Sequence, residues 1–195
     1  MDYPSMDRLA ELQQMIADFG KVKRAIPFAD TSSAENDVEH SFGLAVTCWY
    51  LQPLIAPDLD IGKILEYALA HDIVELHAGD TYVFDHEKIK TKEQRERSAL
   101  KKIRNDWPDF DQLTARAEEY MDKENEEAKF VKAVDKLLPI MMIELSEPKL
   151  WWKKHNINLE IEKINKRSIE VSDYLEPYYE KLITWLDKRN NIPKS

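Results

Sequence analysis

The chain has little of what many function classes require. Of its 195 residues, one is cysteine (Cys48) and four are glycine. A lone cysteine cannot staple the chain to itself, and no C-x-x-C pair is present for redox chemistry or a zinc cluster. Gly20, Gly43, Gly62 and Gly79 fall in neither G-x-G-x-x-G nor G-x-x-x-x-G-K, which removes dinucleotide and P-loop readings. G-x-S-x-G, the commonest esterase signature, is missing as well. Asp, Glu, Lys or His interrupts every apolar run short of the roughly 20 residues that a bilayer span needs, so no membrane partner is expected. No positively charged N-terminal stretch leads into an apolar core, and the expected location is cytoplasmic. Positive charge is short too: 28 Lys and Arg face 37 Asp and Glu, for a net charge of -9. Nucleic acid binding draws on clustered cations, so no nucleic acid partner is expected, while a small phosphate ester stays compatible.

What is present points to helices. Leu, Ala, Glu and Lys abound, 43% of residues are apolar, and sustained alternation of period two is rare. The reading is an all-α fold, one domain over 1–195, built as a bundle of about seven helices. Their spans are 5–19, 37–55, 61–77, 87–106, 109–123, 126–146 and 158–189. Pro53, Pro57, Pro108 and Pro148 mark helix ends, and 25–36 (AIPFADTSSAEN) reads as an ordered loop entering a helix near Asp37. The last span carries Ile157, Ile161, Ile164, Val171, Leu175, Leu182 and Trp185, a stripe that covers the core or joins a partner chain, with a bend at Pro177. Trp151 and Trp152 fit either a dimer contact or an anchor for the turn before it.

Two helices show the same anomaly. In 61–77, Ile61, Ile64, Leu65, Ala68, Leu69 and Leu76 follow one buried face, and Asp72 falls in its middle. In 126–146, Ala128, Val131, Leu138, Met142 and Leu145 mark an inward stripe that contains Asp135, with Pro139 removing the hydrogen bond to the Asp135 carbonyl. A buried bare carboxylate costs several kcal/mol, so each aspartate needs a compensating partner. His71 and Glu75 lie four residues apart beside Asp72. The helix at 37–55 is apolar on more than one face (Val38, Phe42, Ala45, Val46 and Trp49; Leu44, Cys48 and Leu51), as a central buried helix would be, with His40 at its start. Two histidines and two aspartates on three helices suit one divalent cation with open positions, and equally suit aspartates paired with arginine and histidines packed in a core.

A resemblance tips that balance. V38-E39-H40-S41, A70-H71-D72-I73-V74-E75, A78-G79-D80-T81 and F130-V131-K132-A133-V134-D135-K136-L137 together resemble the HD-domain metal-dependent phosphohydrolase superfamily, in the order H…HD…D over residues 25–146. E35-N36 before E39-H40, with HDxxE followed by GD, is similar to its 5'-deoxynucleotidase-like branch, and H77-A-G-D-T-Y-V-F-D85 is similar to a further set of HD hydrolases. The resemblance implies that His40, His71, Asp72 and Asp135 hold one divalent metal (Mn, Co or Mg), and that Glu75 and Asp80 are the catalytic carboxylates. It implies hydrolysis of a small phosphomonoester, a (deoxy)nucleoside 5'-monophosphate above others, and a homodimer. Ala25-Ile26 stands before Pro27 where that branch carries Arg-Trp, leaving the adjacent Arg24 as the candidate to reach a phosphate.

Glu39 and Lys132 are secondary substrate-binding candidates, each with a plainer reading as a helix-start carboxylate and a snorkelling surface lysine. Lys88, Lys90, Lys92, Arg95 and Arg97 would draw in an anion but interleave with Glu87, Glu93 and Glu96 like a solvated face. His77 and His86 are placed outside the metal shell. Competing functions are a metal- or nucleotide-sensing HD domain without turnover, a phosphodiesterase or pyrophosphohydrolase acting on another nucleotide, and a helical adaptor whose polar cluster is structural.

Overall fold

A computed structural model describes residues 3–28, 33–81, 85–123, 125–158, 169 and 171–193. Capping chemistry sets most helix starts. Helix α1 (Met6–Phe19) begins where Ser5 accepts from the Arg8 amide, and α2 (Asp37–Ile55) begins with a reciprocal box between Asn36 and Glu39. Between them β1 (Lys23–Pro27) and β2 (Ala34–Asn36) pair antiparallel, so part of the stretch read as a loop is a two-stranded hairpin. The pairing sets Lys23 opposite Asn36 and Pro27 opposite Ala34, which lays Arg24 alongside the start of α2.

Helix α3 (Ile61–Ala70) starts on an Asp60 cap, and the helix expected over 61–77 breaks after Ala70. The next residues make i→i−3 bonds, from Ile73 to Ala70 and from Glu75 to Asp72, a tightened turn that leads into the short α4 (Glu75–Ala78). Gly79 ends α4 at φ 70°, a conformation costly for any residue with a Cβ. Then follow α5 (His86–Asp106), α6 (Asp111–Asp122), α7 (Glu126–Glu144), α8 (Pro148–Lys154) and α9 (Glu176–Arg189). The span expected over 158–189 is helical over Glu176–Arg189, with Pro177 opening that helix rather than bending it. Residues 159–168 and 170 of that span, with Ile161 and Ile164, lie outside the described residues. Pro53 and Pro139 sit inside α2 and α7.

Helix α3 packs against α2, α6 and α7, and its Ile64, Tyr67 and Ala68 are buried with Leu44, Cys48, Phe130, Val131 and Val134. A second cluster gathers Met15, Phe19, Ile73, Val74, Leu100, Ile103 and Trp107 beneath α4. Helix α2 is not buried all round: Phe42, Val46, Trp49, Tyr50 and Leu54 are exposed, as are Leu69 on α3 and Leu145 after α7. Among the described residues no helix is long and apolar enough to cross a membrane.

The C-terminal elements hang on Glu144. Its buried carboxylate accepts from Trp152 Nε1 at 2.9 Å, Arg189 Nε at 2.8 Å and Asn191 Nδ2 at 2.9 Å, joining α7, α8 and α9. Trp152 is thereby an anchor within the chain. Glu144→Ala strands a buried indole N–H and an arginine, so it should cost about 2–3 kcal/mol and lower the thermal midpoint by roughly 5–10 °C, read by calorimetry.

Candidate metal centre

The site forms where the hairpin, the start of α2, the turn between α3 and α4, and the middle of α7 converge. Asn36 accepts from the Val38 and Glu39 amides while Glu39 Oε2 accepts from the Asn36 amide at 2.9 Å. Glu39 is thus engaged in the cap. The same cap sets the helix phase, and at 100° per residue Asp37, His40, Ser41 and Leu44 all turn inward. On the other side the tight turn after Ala70 presents His71 and Asp72 together, with the Asp72 side chain half-buried rather than sunk in a helical stripe.

The imidazole of His71 fixes its own protonation pattern. Its Nδ1 lies 2.9 Å from the Ala68 carbonyl, which can only accept, so Nδ1 carries the proton. Nε2 is buried, has no hydrogen-bond partner among the described residues and faces Asp72 Oδ2 at 2.8 Å. Two acceptor atoms at that distance call for positive charge, a proton on Nε2 or a cation beside them. His40 Nε2 and Asp135 Oδ1, which share a hydrogen bond at 3.1 Å, have a similar spacing. Adjacent ligands of an octahedral ion with bonds of about 2.1 Å lie about 3 Å apart, the spacing of both pairs. One ligand atom each from His40, His71 and Asp72 falls within 4.8 Å of the others, and the two imidazole centroids are 5.3 Å apart. These residues fit a divalent cation. Asp135 reaches the group through His40 and is held there by Tyr120 Oη at 3.3 Å and Lys136 Nζ at 3.0 Å.

Around that set lie the remaining candidates. Glu75 is buried, and one of its carboxylate oxygens lies within 4.8 Å of oxygens from Asp37 and Asp72. Asp80 follows Gly79 in a segment clamped by Arg95, which donates to the Ala78 carbonyl at 2.6 Å and to Thr81 Oγ1 at 2.7 Å. Arg24 donates to Asp72 Oδ2 at 2.6 Å and Asp37 Oδ1 at 3.2 Å, and so touches a ligand directly. Lys132 Nζ lies 3.6 Å from Asp135 Oδ2 and over the Tyr120 ring. His77 is apart, beside Lys102, and the His86 side chain lies outside the described residues. Sequence reasoning gave no role to Asp37, Tyr120 or Lys136. Asp37 had a signal, three residues before His40 on one helical face, whereas Tyr120 sits on a different helix and had none.

Burial and repulsion set the acid–base balance of these protein groups. Glu75 is pushed up to about 10 by burial and by the charges of Asp72, Asp37 and Asp80. Burial and Asp72 likewise push Asp37 to about 7 against the pull of Arg24. Burial opposes ionisation of Asp72, yet His71 and Arg24 outweigh it and hold that carboxyl well below the usual range. Asp135 is held low against burial by Lys136, His40 and Lys132. His40 rises to about 9, because its hydrogen bonds to Asp135 and Glu35 overcome burial, and burial with Lys136 lowers Lys132 to about 8.

The Glu75 shift has a stability sign. In the unfolded chain a glutamate titrates near about 4.3, so between there and about 10 the folded state keeps a proton that the unfolded state releases, and stability falls as pH rises. Glu75→Gln removes that loss. In EDTA its thermal midpoint should exceed that of the unaltered chain by several degrees at pH 8, with the gap closing below about pH 4.

Comparison with known proteins agrees with this geometry. The family model described as HD domain matches residues 17–175. Among solved structures, the chain is similar to a predicted metal-dependent phosphohydrolase from Magnetospirillum magnetotacticum MS-1, at 29% identity over 96% of this chain and 99% of that one, with a TM-score of 0.78. It also shares its fold with the PH0347 protein from Pyrococcus horikoshii OT3, at 20% identity over 90% and 98% of the two chains and a TM-score of 0.67. A conserved hypothetical protein from Pyrococcus furiosus is comparable, at 21% identity over 89% and 98% and a TM-score of 0.65. No curated protein matches the chain. With a family model spanning most of its length, and the ordered H…HD…D residues drawn together in space, the chain belongs to the HD domain family.

Proposed function

We propose that the chain is a metal-dependent phosphohydrolase that cleaves a small phosphomonoester, a (deoxy)nucleoside 5'-monophosphate, into nucleoside and phosphate. The observation that carries this reading is the pairing of His71 Nε2 with Asp72 Oδ2 at 2.8 Å beside His40 and Asp135, with buried Glu75 next to them. His40, His71, Asp72 and Asp135 would hold one divalent ion (Mn, Co or Mg), the last through exchange of its contact with His40. That ion supplies Lewis acidity toward a phosphoryl oxygen and toward water.

The protein groups supply the rest. Glu75 and Asp80 divide the proton traffic, one orienting and deprotonating the attacking water, the other protonating the leaving alcohol. Lys132, beside Asp135, and Lys92, whose charge is raised in pKa by Glu96, Glu75 and Asp72 against burial, offer cations to a phosphate dianion. Arg24 can serve a phosphate only by sharing donors with Asp72 and Asp37.

Phosphate release from a panel of ribo- and deoxynucleoside 5'-monophosphates, with Mn, Co or Mg, tests the reading. Activity should rank the substrates and fall at least 1,000-fold in Asp72→Asn, an order of magnitude set by loss of metal catalysis, together with bound metal. Full activity or full metal content in that variant would overturn the site. Metal bound without release from any substrate favours a sensor instead.

The reading includes a homodimer formed through α2. Phe42, Val46, Trp49, Tyr50 and Leu54 line one exposed face, and no charged residue occurs from Phe42 to Ile55. Aromatic side chains bury roughly 150–250 Å² each, so three of them with Val46 and Leu54 approach the roughly 800 Å² per partner of a specific interface. With no cation on this face and a net charge of -9, a second copy suits it better than an anionic lipid surface. Light scattering should give twice the 22.9 kDa chain mass, and Trp49→Asp should give the single mass; a monomer before substitution overturns the assignment.

A further inference from the structure

A second place beside the ligand set is crowded with carboxylates. Asp37, Asp72 and Glu75 each bring one oxygen within 4.8 Å of the other two. Asp37 and Glu75 are buried, and among the described residues Asp37 Oδ2 and Glu75 Oε2 have no hydrogen-bond partner. Bare buried oxygens are uncommon in native proteins, and two of them in one cluster call for positive charge, a proton or a cation. The donor set is all oxygen, which suits a hard cation such as Mg or Mn. Asp72 belongs both to this cluster and to the group with His40 and His71.

A positive charge already stands at the cluster. The Arg24 side chain is 12% exposed and donates from one nitrogen to Asp72 Oδ2 at 2.6 Å and Asp37 Oδ1 at 3.2 Å, with Nε 3.5 Å from Glu35 Oε2. A guanidinium cannot be deprotonated in a protein, so this charge is permanent. Its hairpin position makes it part of the fold rather than a visitor: Lys23, its neighbour, pairs across to Asn36, one residue before Asp37.

Building on the metal reading above, we propose that Asp37, Asp72 and Glu75 form a second divalent-cation pocket in which Arg24 is the resident positive charge. The chain therefore takes one divalent ion, and loss of Arg24 admits a second that shares Asp72 with the first. Arg24 is on this account a positioning residue: it sets the number of ions and holds Asp72 in place.

Counting manganese per chain after equilibrium dialysis, with electron paramagnetic resonance on the same samples, tests this. The unaltered chain should bind one ion with the spectrum of an isolated centre. Arg24→Met should bind two, with the spectrum broadened by coupling between neighbouring ions, and adding Asp37→Asn to that variant should return the count to one. One ion in Arg24→Met, or two in the unaltered chain, overturns the proposal and leaves the metal centre standing; no ion in the unaltered chain overturns the metal centre instead. Asp37→Asn alone keeps the test decisive should Arg24→Met not fold. It should retain one ion, because Asp37 holds Arg24, and loss of that ion would place Asp37 in the resident shell and overturn the proposal.

Discussion

The contact between Arg24 and Asp72 ties the parts of this site together. Its two residues come from the hairpin and from the turn between α3 and α4, which share no sequence continuity, and Asp37 joins them from the start of α2. Without that guanidinium, the buried and half-buried carboxylates Glu35, Asp37, Asp72 and Glu75 would face one another across a few ångströms of low-dielectric space. Like charges so placed repel strongly, and Glu75 and Asp37 are displaced upward by burial first and by their carboxylate neighbours second, even with Arg24 in place. The hairpin is therefore not decoration on a helical bundle. It delivers a permanent cation into the acidic centre.

Much of this was legible from residue order. The helical frame follows from periodicity and caps; Asp72 and Asp135 stand out because they interrupt apolar stripes, and the H…HD…D resemblance joins His40 and His71 to them. The break after Ala70 was hidden, because His71-Asp72-Ile73-Val74 contains neither proline nor glycine and continues the apolar phase of α3. Only the geometry reveals that tighter i→i−3 bonding rotates Asp72 out of that stripe. Helix α8 was hidden by its shortness, and the hairpin by Pro27, which argues against a strand except at an edge.

The opposite error occurred on α2. Apolar residues on several faces imply full burial, yet Trp49 and Tyr50 are 64% and 69% exposed. A pattern of hydrophobicity reports that a face avoids water, not what covers it, and a partner chain produces the same signature as a core. Asp37 was missed for a related reason. An acidic residue at a helix start has a sufficient explanation in the macrodipole, which masks the signal of its place three residues before His40 on one helical face.

Arg95 carries a mechanical consequence. One side chain on α5 grips the Ala78 carbonyl, the Thr81 hydroxyl and the Lys88 carbonyl, which bracket the segment bearing Asp80. Gly79, at φ 70°, lies inside that grip. Helix α5 and the backbone around Asp80 are thus tied through one side chain, whereas His71 and Asp72 lie on the far side of Gly79 and outside that tie.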